Sequence, residues 1–235
     1  MTNIAQQTLA NIVKTNHHAV PILEKYNLDF CCKGKRLLTD ACSEKDLPTG
    51  AIEKELYAAM TEDRGKTMPF TQMTAEQLIG HILIHHHFYV KQTMPVIHMH
   101  LEKVAHKHGE HFPFMKKVFT LFCEVENEMI SHMEKEEIIL FPRIKQLEQS
   151  VKQHDKPSHN YVDGPIAVME AEHEHAGDIL FKIRALTHNY TAPETACTTF
   201  RVTLSELKEF EEDLHQHVHL ENNILFPKAH AMLSM

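Results

Sequence analysis

The sequence predicts an all-α protein, in which a small helical N-terminal domain precedes an antiparallel four-helix bundle. Three observations predict this fold class. The 235 residues include only 7 glycines and 10 prolines. The long segments between them carry apolar residues at the helical period. Two stretches, 132–142 and 217–227, share the pattern H-x-x-x-E-x-x-I-L-F-P at a constant offset of 85 residues. This repeat indicates that the bundle consists of two similar helix pairs.

Composition limits the function and location of the chain. The net charge of −8 argues against nucleic acid as a partner. No stretch is apolar for long enough to span a membrane, and the N-terminus lacks the basic start and apolar run of a signal peptide. We therefore expect a cytoplasmic protein without a membrane partner. Its five cysteines are an odd number without framework spacing, so we expect mostly reduced thiols.

The N-terminal domain is predicted to span residues 1–62. It contains short helical segments, one ending near Tyr26, one after Gly34 and one from Pro48 to Met60. The polar segment 61–69 reads as a linker, because it combines Gly, Pro and charged residues. The bundle is then predicted to occupy residues 71–235.

Four longer helices should form this bundle. The first begins at Thr74, with Gln77 completing a capping box, and runs to about residue 106. The second begins after Pro113 and ends at Phe141-Pro142. A polar loop, 150–164, separates the two pairs.

The second pair repeats this arrangement. The third helix runs from about Pro165 to about Leu186, and the fourth begins after the capping-box pattern 191–194 and ends at Phe226-Pro227. Short connections between four such helices favour an up-down topology.

The repeated motif places a histidine and a glutamate inside an apolar stripe. The stripe of the second helix is Val125, Met129, His132, Glu136 and Ile139; that of the fourth is Phe210, Leu214, His217, Glu221 and Ile224. Residues four apart lie one turn apart, about 6 Å along the axis. A buried carboxylate needs a partner, which a cation between the helices would supply. A surface ion pair is the alternative for a single copy, but two copies on two apolar stripes favour a symmetric two-metal site.

The first and third helices offer matching donors. His87 and His173 lie on the apolar stripes of those helices, 86 residues apart, whereas His85, His86 and His175 fall off the stripes and should be exposed. The predicted metal ligands are His87, His132, Glu136, His173, His217 and Glu221. Each metal would take two imidazoles, with both glutamates bridging. Open coordination positions indicate binding or reaction, and the donors suit iron, manganese or zinc.

Three further residues are candidates for weaker roles. His108 would be a seventh ligand only if its helix broke near Pro95 and folded back. Glu128 and Glu172 lie close to the predicted ligands in sequence. Each is either a hydrogen-bond partner or proton relay of the site, or an ordinary exposed helix residue.

The four-helix pattern with H-x-x-x-E on two helices resembles the hemerythrin-like domain. Within that group, 29–35 (Asp-Phe-Cys-Cys-Lys-Gly-Lys) resembles the N-terminal domain of the iron–sulfur cluster repair di-iron proteins. Residues 164–174 and 220–227 are similar to that family as well, and the resemblance covers nearly the whole chain. It implies the same six ligands and two non-haem iron ions per chain.

The resemblance also implies a function. Proteins of this kind restore iron–sulfur clusters damaged by nitric oxide or oxidants, by supplying iron or by acting on nitric oxide at open iron positions. The expected partners are damaged iron–sulfur proteins in transient contact and the diatomic ligands NO and O2, and the expected state is a cytoplasmic homodimer. One departure argues against simple oxygen carriage. Oxygen-carrying hemerythrins have two histidines four apart on the third helix, whereas His173 is followed there by Gly177.

Cys31 and Cys32 are adjacent, which is poor geometry for a disulfide between them. Lys33, Lys35 and Arg36 should lower the pKa of both thiols. The pair would then contact iron or a cluster, or relay electrons; ordinary thiols at a helix end are the alternative. The other three cysteines, Cys42, Cys123 and Cys197, read as core residues.

Two other classes of function compete with repair. The chain could be an NO or O2 sensor or carrier, or a di-iron nitric oxide reductase or oxidase. An oxidase should carry more carboxylates and Glu-x-x-His pairs, and a sensor should carry a signalling domain. The Cys-Cys domain favours repair. The sequence shows no conventional catalytic apparatus, so whether the protein is an enzyme stays open.

Overall fold

The computed structural model describes residues 3–61, 70–155 and 161–234. All regular structure in these ranges is helical, apart from an isolated bridge between Thr8 and Leu37. The predicted all-α class is confirmed. None of the described helices combines the length and the apolar character that crossing a membrane requires. Of the predicted linker, residues 62–69 lie outside the described residues, as do residues 156–160 of the predicted loop.

Four short helices form the N-terminal region: α1 (Leu9–Thr15), α2 (Val20–Lys25), α3 (Leu38–Ser43) and α4 (Thr49–Thr61). The segment before Tyr26 is two helices rather than one. Asn16 ends the first, and its side chain accepts a hydrogen bond from the backbone N–H of His18, which starts a new turn. Side chains of this kind compete with the helical backbone and therefore favour such boundaries.

Four long helices form the bundle, and a π turn interrupts three of them. The first contains α5 (Ala75–Ile82), the π turn Leu83–His87 and α6 (Phe88–His108). The second contains α7 (Phe114–Lys135), the π turn Glu136–Leu140 and α8 (Phe141–Lys152). The third is α9 (Asp163–Leu186). The fourth contains α10 (Thr198–Leu220), the π turn Glu221–Leu225 and α11 (Phe226–Leu233). The capping box of Thr74 and Gln77 is confirmed.

The predicted ends of the second and fourth helices were wrong. Both helices continue past Pro142 and Pro227. A proline inside an α-helix removes one hydrogen bond, and its ring collides with the carbonyl group one turn earlier. Here a wider π turn precedes each proline and makes room for the ring, so the chain stays helical.

The fourth helix begins after residues 191–194, as predicted, but the predicted capping box there was wrong. The helix begins at Thr198, and the capping-box pattern 191–194 lies in the preceding loop. The guanidinium of Arg201 donates hydrogen bonds to the carbonyl oxygens of Pro193 and Glu194. These bonds hold the segment as a loop on the first turns of α10.

Two apolar clusters form the core. One contains the buried side chains of the N-terminal helices and of one end of the bundle. On the first bundle helix its members lie between Val90 and Val104. The other fills the opposite end and includes Ala75 to Ile82 of the same helix. On each bundle helix, the predicted metal ligands lie at the boundary between the two clusters. The core therefore leaves one polar layer inside the bundle.

Candidate metal centre

The fold brings together all six residues that the sequence predicts as metal ligands. None of their side chains is more than 2% exposed. They come from all four bundle helices and form two sets that share both glutamates: His87, Glu136, His217 and Glu221, and His132, Glu136, His173 and Glu221. Within each set the donor atoms lie within 4.8 Å of one another.

The distances follow the same pseudo-symmetry. The Nε2 atoms of His87 and His217 are 3.1 Å apart, and those of His132 and His173 are 3.0 Å apart. Glu136 Oε2 is 3.3 Å from Nε2 of both His87 and His132. The Glu136 carboxylate thus contacts one histidine of each pair.

Glu221 completes this arrangement from the opposite side. Its Oε2 is 3.2 Å from Nε2 of His173, and its Oε1 is 3.1 Å from Nε2 of His217. Each glutamate therefore reaches one histidine of each pair, which is the position of a bridging carboxylate between two metals.

The chemistry of these donors fits cations. Both oxygens of Glu136 and Oε2 of Glu221 are buried and lack a hydrogen-bond partner among the described residues. Imidazole nitrogens and carboxylate oxygens bind metals at about 2.0–2.2 Å, so donors of one metal lie roughly 3 Å apart. The observed spacings agree with this separation. A buried carboxylate without a partner is costly, and a bound cation removes that cost.

The electrostatics of the layer favour anionic carboxylates. Burial by itself would raise the pKa of Glu221, but the imidazoles of His217 and His173 hold it well below its usual range. Burial would lower the pKa of His132, yet Glu136 and its neighbours raise it to about 9. Without metal, protonated His132 therefore compensates part of the buried negative charge, and metal cations would take over that role.

Three of the six candidate ligands lie at the ends of π turns. His87 ends the first π turn, and Glu136 and Glu221 begin the other two. Such turns often occur at functional sites. The π turn also corrects one predicted core residue: Ile139 is 40% exposed and Leu140 is buried in its place, because the extra residue shifts the helical register. The only sequence signal was the proline after each motif.

Polar side chains contact three of the four histidines at Nδ1, the ring nitrogen that points away from the cluster of donors. Nδ1 of His87 is 2.7 Å from Glu137 Oε1, and Nδ1 of His173 is 2.9 Å from Asn222 Oδ1. Glu137 and Asn222 directly follow Glu136 and Glu221 and are equivalent in the repeat. Sequence reasoning missed both, although the repeat could have indicated them. Partners of this kind fix the ring orientation and the tautomer of a ligand.

Glu172 contacts a third candidate ligand, and its role as a hydrogen-bond partner of the site stays a prediction. Its Oε2 is 2.9 Å from Nδ1 of His132, and its other oxygen pairs with Lys135. Burial would raise the pKa of the Glu172 carboxyl, but Lys135 and His132 lower it.

The other two candidates lie away from the six. Helix α6 runs unbroken through Pro95, and His108 Nε2 at its far end is 3.3 Å from Cys197 Sγ. Glu128 Oε1 is 3.0 Å from Nε2 of His175, near the bundle surface. The bundle geometry therefore separates both side chains from the six candidate ligands.

His86, expected to be exposed, is buried, and the prediction was wrong. Its Nδ1 is 2.9 Å from Asp213 Oδ1, and its ring stacks on His217 at 5.6 Å between centroids. The π turn that ends at His87 rotates this part of the helix, so that both residues face inward.

The cysteine pair lies where the N-terminal region contacts the polar layer. Asp29 Oδ1 accepts hydrogen bonds from the backbone N–H groups of Cys31 and Cys32, at 3.1 and 3.0 Å. Cys32 Sγ is 3.5 Å from the carbonyl oxygen of His173. The side-chain amide of Asn223 reaches the carbonyl oxygens of Phe30 and Cys31, both at 3.3 Å.

The expected lowering of the thiol pKa is wrong for Cys31. The hydrogen bond with Cys32, burial and the Asp29 carboxylate raise the pKa of the Cys31 thiol well above its usual range. Arg36, which was expected to act on the thiols, pairs with Glu44 instead. The other three cysteines were all predicted to lie in the core. Cys42 is buried as predicted, but Cys123 is only partly buried and Cys197 is exposed.

Comparisons with known proteins agree with this architecture. The profile of the hemerythrin HHE cation binding domain matches residues 78–229, which contain all six candidate ligands. The profile ScdA_N, described as a domain of unknown function (DUF542), matches residues 5–60. These matches separate the bundle from the cysteine-containing N-terminal region.

Curated relatives span both regions. The iron–sulfur cluster repair protein YtfE of Cronobacter sakazakii is 36% identical over 223 residues, which cover 95% of this chain and 96% of the relative. The proteins of the same name from Enterobacter sp. (strain 638) and Escherichia coli O81 are each 34% identical over the same shares of both chains. The chain therefore belongs to the hemerythrin-like cation-binding proteins and, within them, to the iron–sulfur cluster repair family.

Proposed function

We propose that the chain binds two non-haem iron ions. His87 and His217 would hold one, His132 and His173 the other, and Glu136 and Glu221 would bridge them. The observation that carries this proposal is the pair of buried four-donor sets that share both carboxylates. Hemerythrin-like proteins bind cations in such a bundle, and the donors are of the type that iron accepts.

The protein would use this centre to repair iron–sulfur clusters damaged by nitrosative or oxidative stress. Its curated relatives carry the name iron–sulfur cluster repair protein. Four protein donors per metal would leave coordination positions open. Iron in the site could bind NO or O2 at these positions, or could be passed through them to a damaged cluster. The chain's residues hold the donors, exclude bulk water and orient the imidazoles through Glu137, Glu172 and Asn222.

Cys31 and Cys32 would take part in transfer or redox steps. The contact of Cys32 Sγ with the backbone of a candidate ligand, His173, places a thiol next to the centre. The partners would be damaged iron–sulfur proteins in transient contact. We further propose a cytoplasmic homodimer with domains at 1–62 and 71–235, which sedimentation and limited proteolysis would test.

The first experiment measures iron content and the Mössbauer spectrum of protein prepared without oxygen. Glu136→Ala and His217→Ala are compared with the wild type, and His175→Ala, an exposed histidine on the third bundle helix, is the matched control. We expect two coupled iron ions per chain in the wild type and the control, and clear loss in the two ligand variants. One metal or none, with the ligand variants unchanged, would contradict the proposed centre.

The second experiment tests repair itself. The ferrous protein is mixed with an iron–sulfur enzyme inactivated by nitric oxide, and the recovered activity is compared with that from an equal amount of free ferrous iron. We expect more recovery from the protein, and less from a Cys31→Ala/Cys32→Ala variant that still holds its iron. Equal recovery from free iron would refute the repair function, and an unaffected double variant would remove the role of the thiols.

A further inference from the structure

The four candidate histidine ligands are not held equally. Nδ1 of His87, His132 and His173 each has a side-chain oxygen within 2.9 Å. Nδ1 of His217 is buried and has no hydrogen-bond partner among the described residues. The ring itself is fully buried, so bulk water does not substitute for the missing partner.

This difference matters for metal binding. A histidine that binds a metal through Nε2 is neutral and carries its proton on Nδ1. At His87, His132 and His173 that N–H has an acceptor, whereas at His217 it would be a buried donor without one. Without metal, the proton of His217 can sit on Nε2, 3.1 Å from Glu221 Oε1, and Nδ1 is then a bare acceptor. Leaving a buried donor unpaired is unfavourable, so metal binding costs more at His217 than at the other three histidines.

The sequence repeat shows how the difference arises. The 86-residue offset between His87 and His173 makes His86 the counterpart of Glu172. Glu172 bonds Nδ1 of His132, but His86 only stacks on His217 and directs its own Nδ1 toward Asp213. The third bundle helix therefore gives His132 a hydrogen-bond acceptor, Glu172, whereas the first bundle helix gives His217 only the ring of His86.

A second unpaired atom lies on the same helix. Asp213 is one turn before His217, and its Oδ2 is buried without a hydrogen-bond partner among the described residues. Its other oxygen is committed to His86. Asp213 Oδ2 and Nδ1 of His217 are therefore two unsatisfied atoms, on residues one helical turn apart.

We propose that the two irons are bound with unequal strength, and that the iron held by His87 and His217 is the exchangeable one. This inference rests on the proposed di-iron centre and specifies which ion the protein gives up first. A partner of a ligating histidine is typically worth 10–100-fold in metal affinity. We therefore expect one iron to leave about 10–100-fold faster than the other.

The experiment measures iron release from the full-length ferrous protein, without oxygen, into excess chelator that absorbs when it binds ferrous iron. The wild type should show two phases of one iron each. Glu137→Ala removes the partner of His87 and should speed only the fast phase. Asn222→Ala removes the equivalent partner of His173 and should speed only the slow phase.

A third variant restores the missing acceptor. In His86→Gln, the amide oxygen can accept from Nδ1 of His217 while the amide N–H donates to Asp213. We expect a slower fast phase and an unchanged slow phase. His85→Gln, at the exposed neighbouring position, should leave both phases unchanged.

Two results would overturn the inference: release of both irons in a single phase, or acceleration of the fast phase by Asn222→Ala. Both require protein that has bound two irons. Failure to bind two irons would instead refute the di-iron centre proposed above, so the two failures are distinguishable.

Discussion

Cys32 covers the position next to His173 where the third helix carries a glycine. Its Sγ atom lies 3.5 Å from the carbonyl oxygen of His173 and 3.6 Å from the site of a Cβ atom at Gly177. Gly177 stands where oxygen-carrying hemerythrins have a second histidine. The thiol of the N-terminal region therefore packs against the helix at the point where that imidazole would begin.

Replacing Gly177 with a large or a small side chain should test whether Cys32 packs closely against the third bundle helix. In Gly177→His, the larger side chain should displace Cys32 and loosen the N-terminal region from the bundle. Hydrogen exchange of the segment 29–35 would then be faster than in the wild type. Gly177→Ala is the control, because a Cβ at 3.6 Å is an ordinary contact. Alanine should also raise stability by about 0.4–1 kcal/mol through the unfolded state. Unchanged exchange in Gly177→His would argue against this packing.

A buried ion network also joins the two regions. Arg184 donates to Glu211 Oε2 at 2.8 Å and lies 3.5 Å from Glu24 of the N-terminal region. Glu211 is only 2% exposed, so Arg184→Met would remove the cation that is hydrogen-bonded to a buried carboxylate. We expect a loss of about 3–5 kcal/mol in the free energy of unfolding, measured with urea.

The control for this prediction is an exposed pair on the same bundle. Lys208→Ala removes an exposed contact with Glu212 at 3.6 Å. It should change the free energy of unfolding by no more than about 0.5 kcal/mol. A similar effect of both variants would show that the Arg184 network is no more important than a surface pair.

The cysteines should differ in reactivity. Because only the thiolate reacts, a raised pKa slows alkylation. Cys31 is buried and its pKa is raised well above the usual range, whereas Cys197 is exposed. In the folded protein at pH 7.5, iodoacetamide should modify Cys197 first and Cys31 much later, as followed by peptide mass spectrometry. In denaturant the two rates should converge. Fast modification of folded Cys31 would contradict its described environment.

His81 should contribute to acid sensitivity. Burial, together with His85 and His86, lowers the pKa of His81 from 6.5 to about 4. Between these values the unfolded chain binds the proton and the folded chain does not, so stability falls as pH decreases from about 6.5 to about 4. In urea titrations of metal-free protein, His81→Gln should therefore lose less stability than the wild type between pH 7 and pH 5. The difference between the two proteins should stay constant from pH 7 to pH 8; parallel losses below pH 7 would refute this role.

The repeat predicted much of the bundle, and the reasons for the errors are local. Its apolar stripes placed Met129, Met169 and Leu214 correctly inside. Ile139 and His86 were misplaced because periodicity assumes an unbroken α-helix, and a π turn adds one residue to the turn. Pro142 and Pro227 were interpreted as helix ends for the same reason. The low helix propensity of proline applies to an unbroken α-helix and does not include a wider π turn before the proline.

The sequence by itself determined the helical class and the internal repeat, and it singled out the six candidate donors. These properties depend on the spacing of residues along one helix, which the chain contains directly. Only the tertiary structure decided that both glutamates lie between both histidine pairs, that Cys32 rests on His173 and that His217 lacks an outer partner. Such relationships depend on side chains from different helices that meet at 3–4 Å, and spacing along one helix does not specify them.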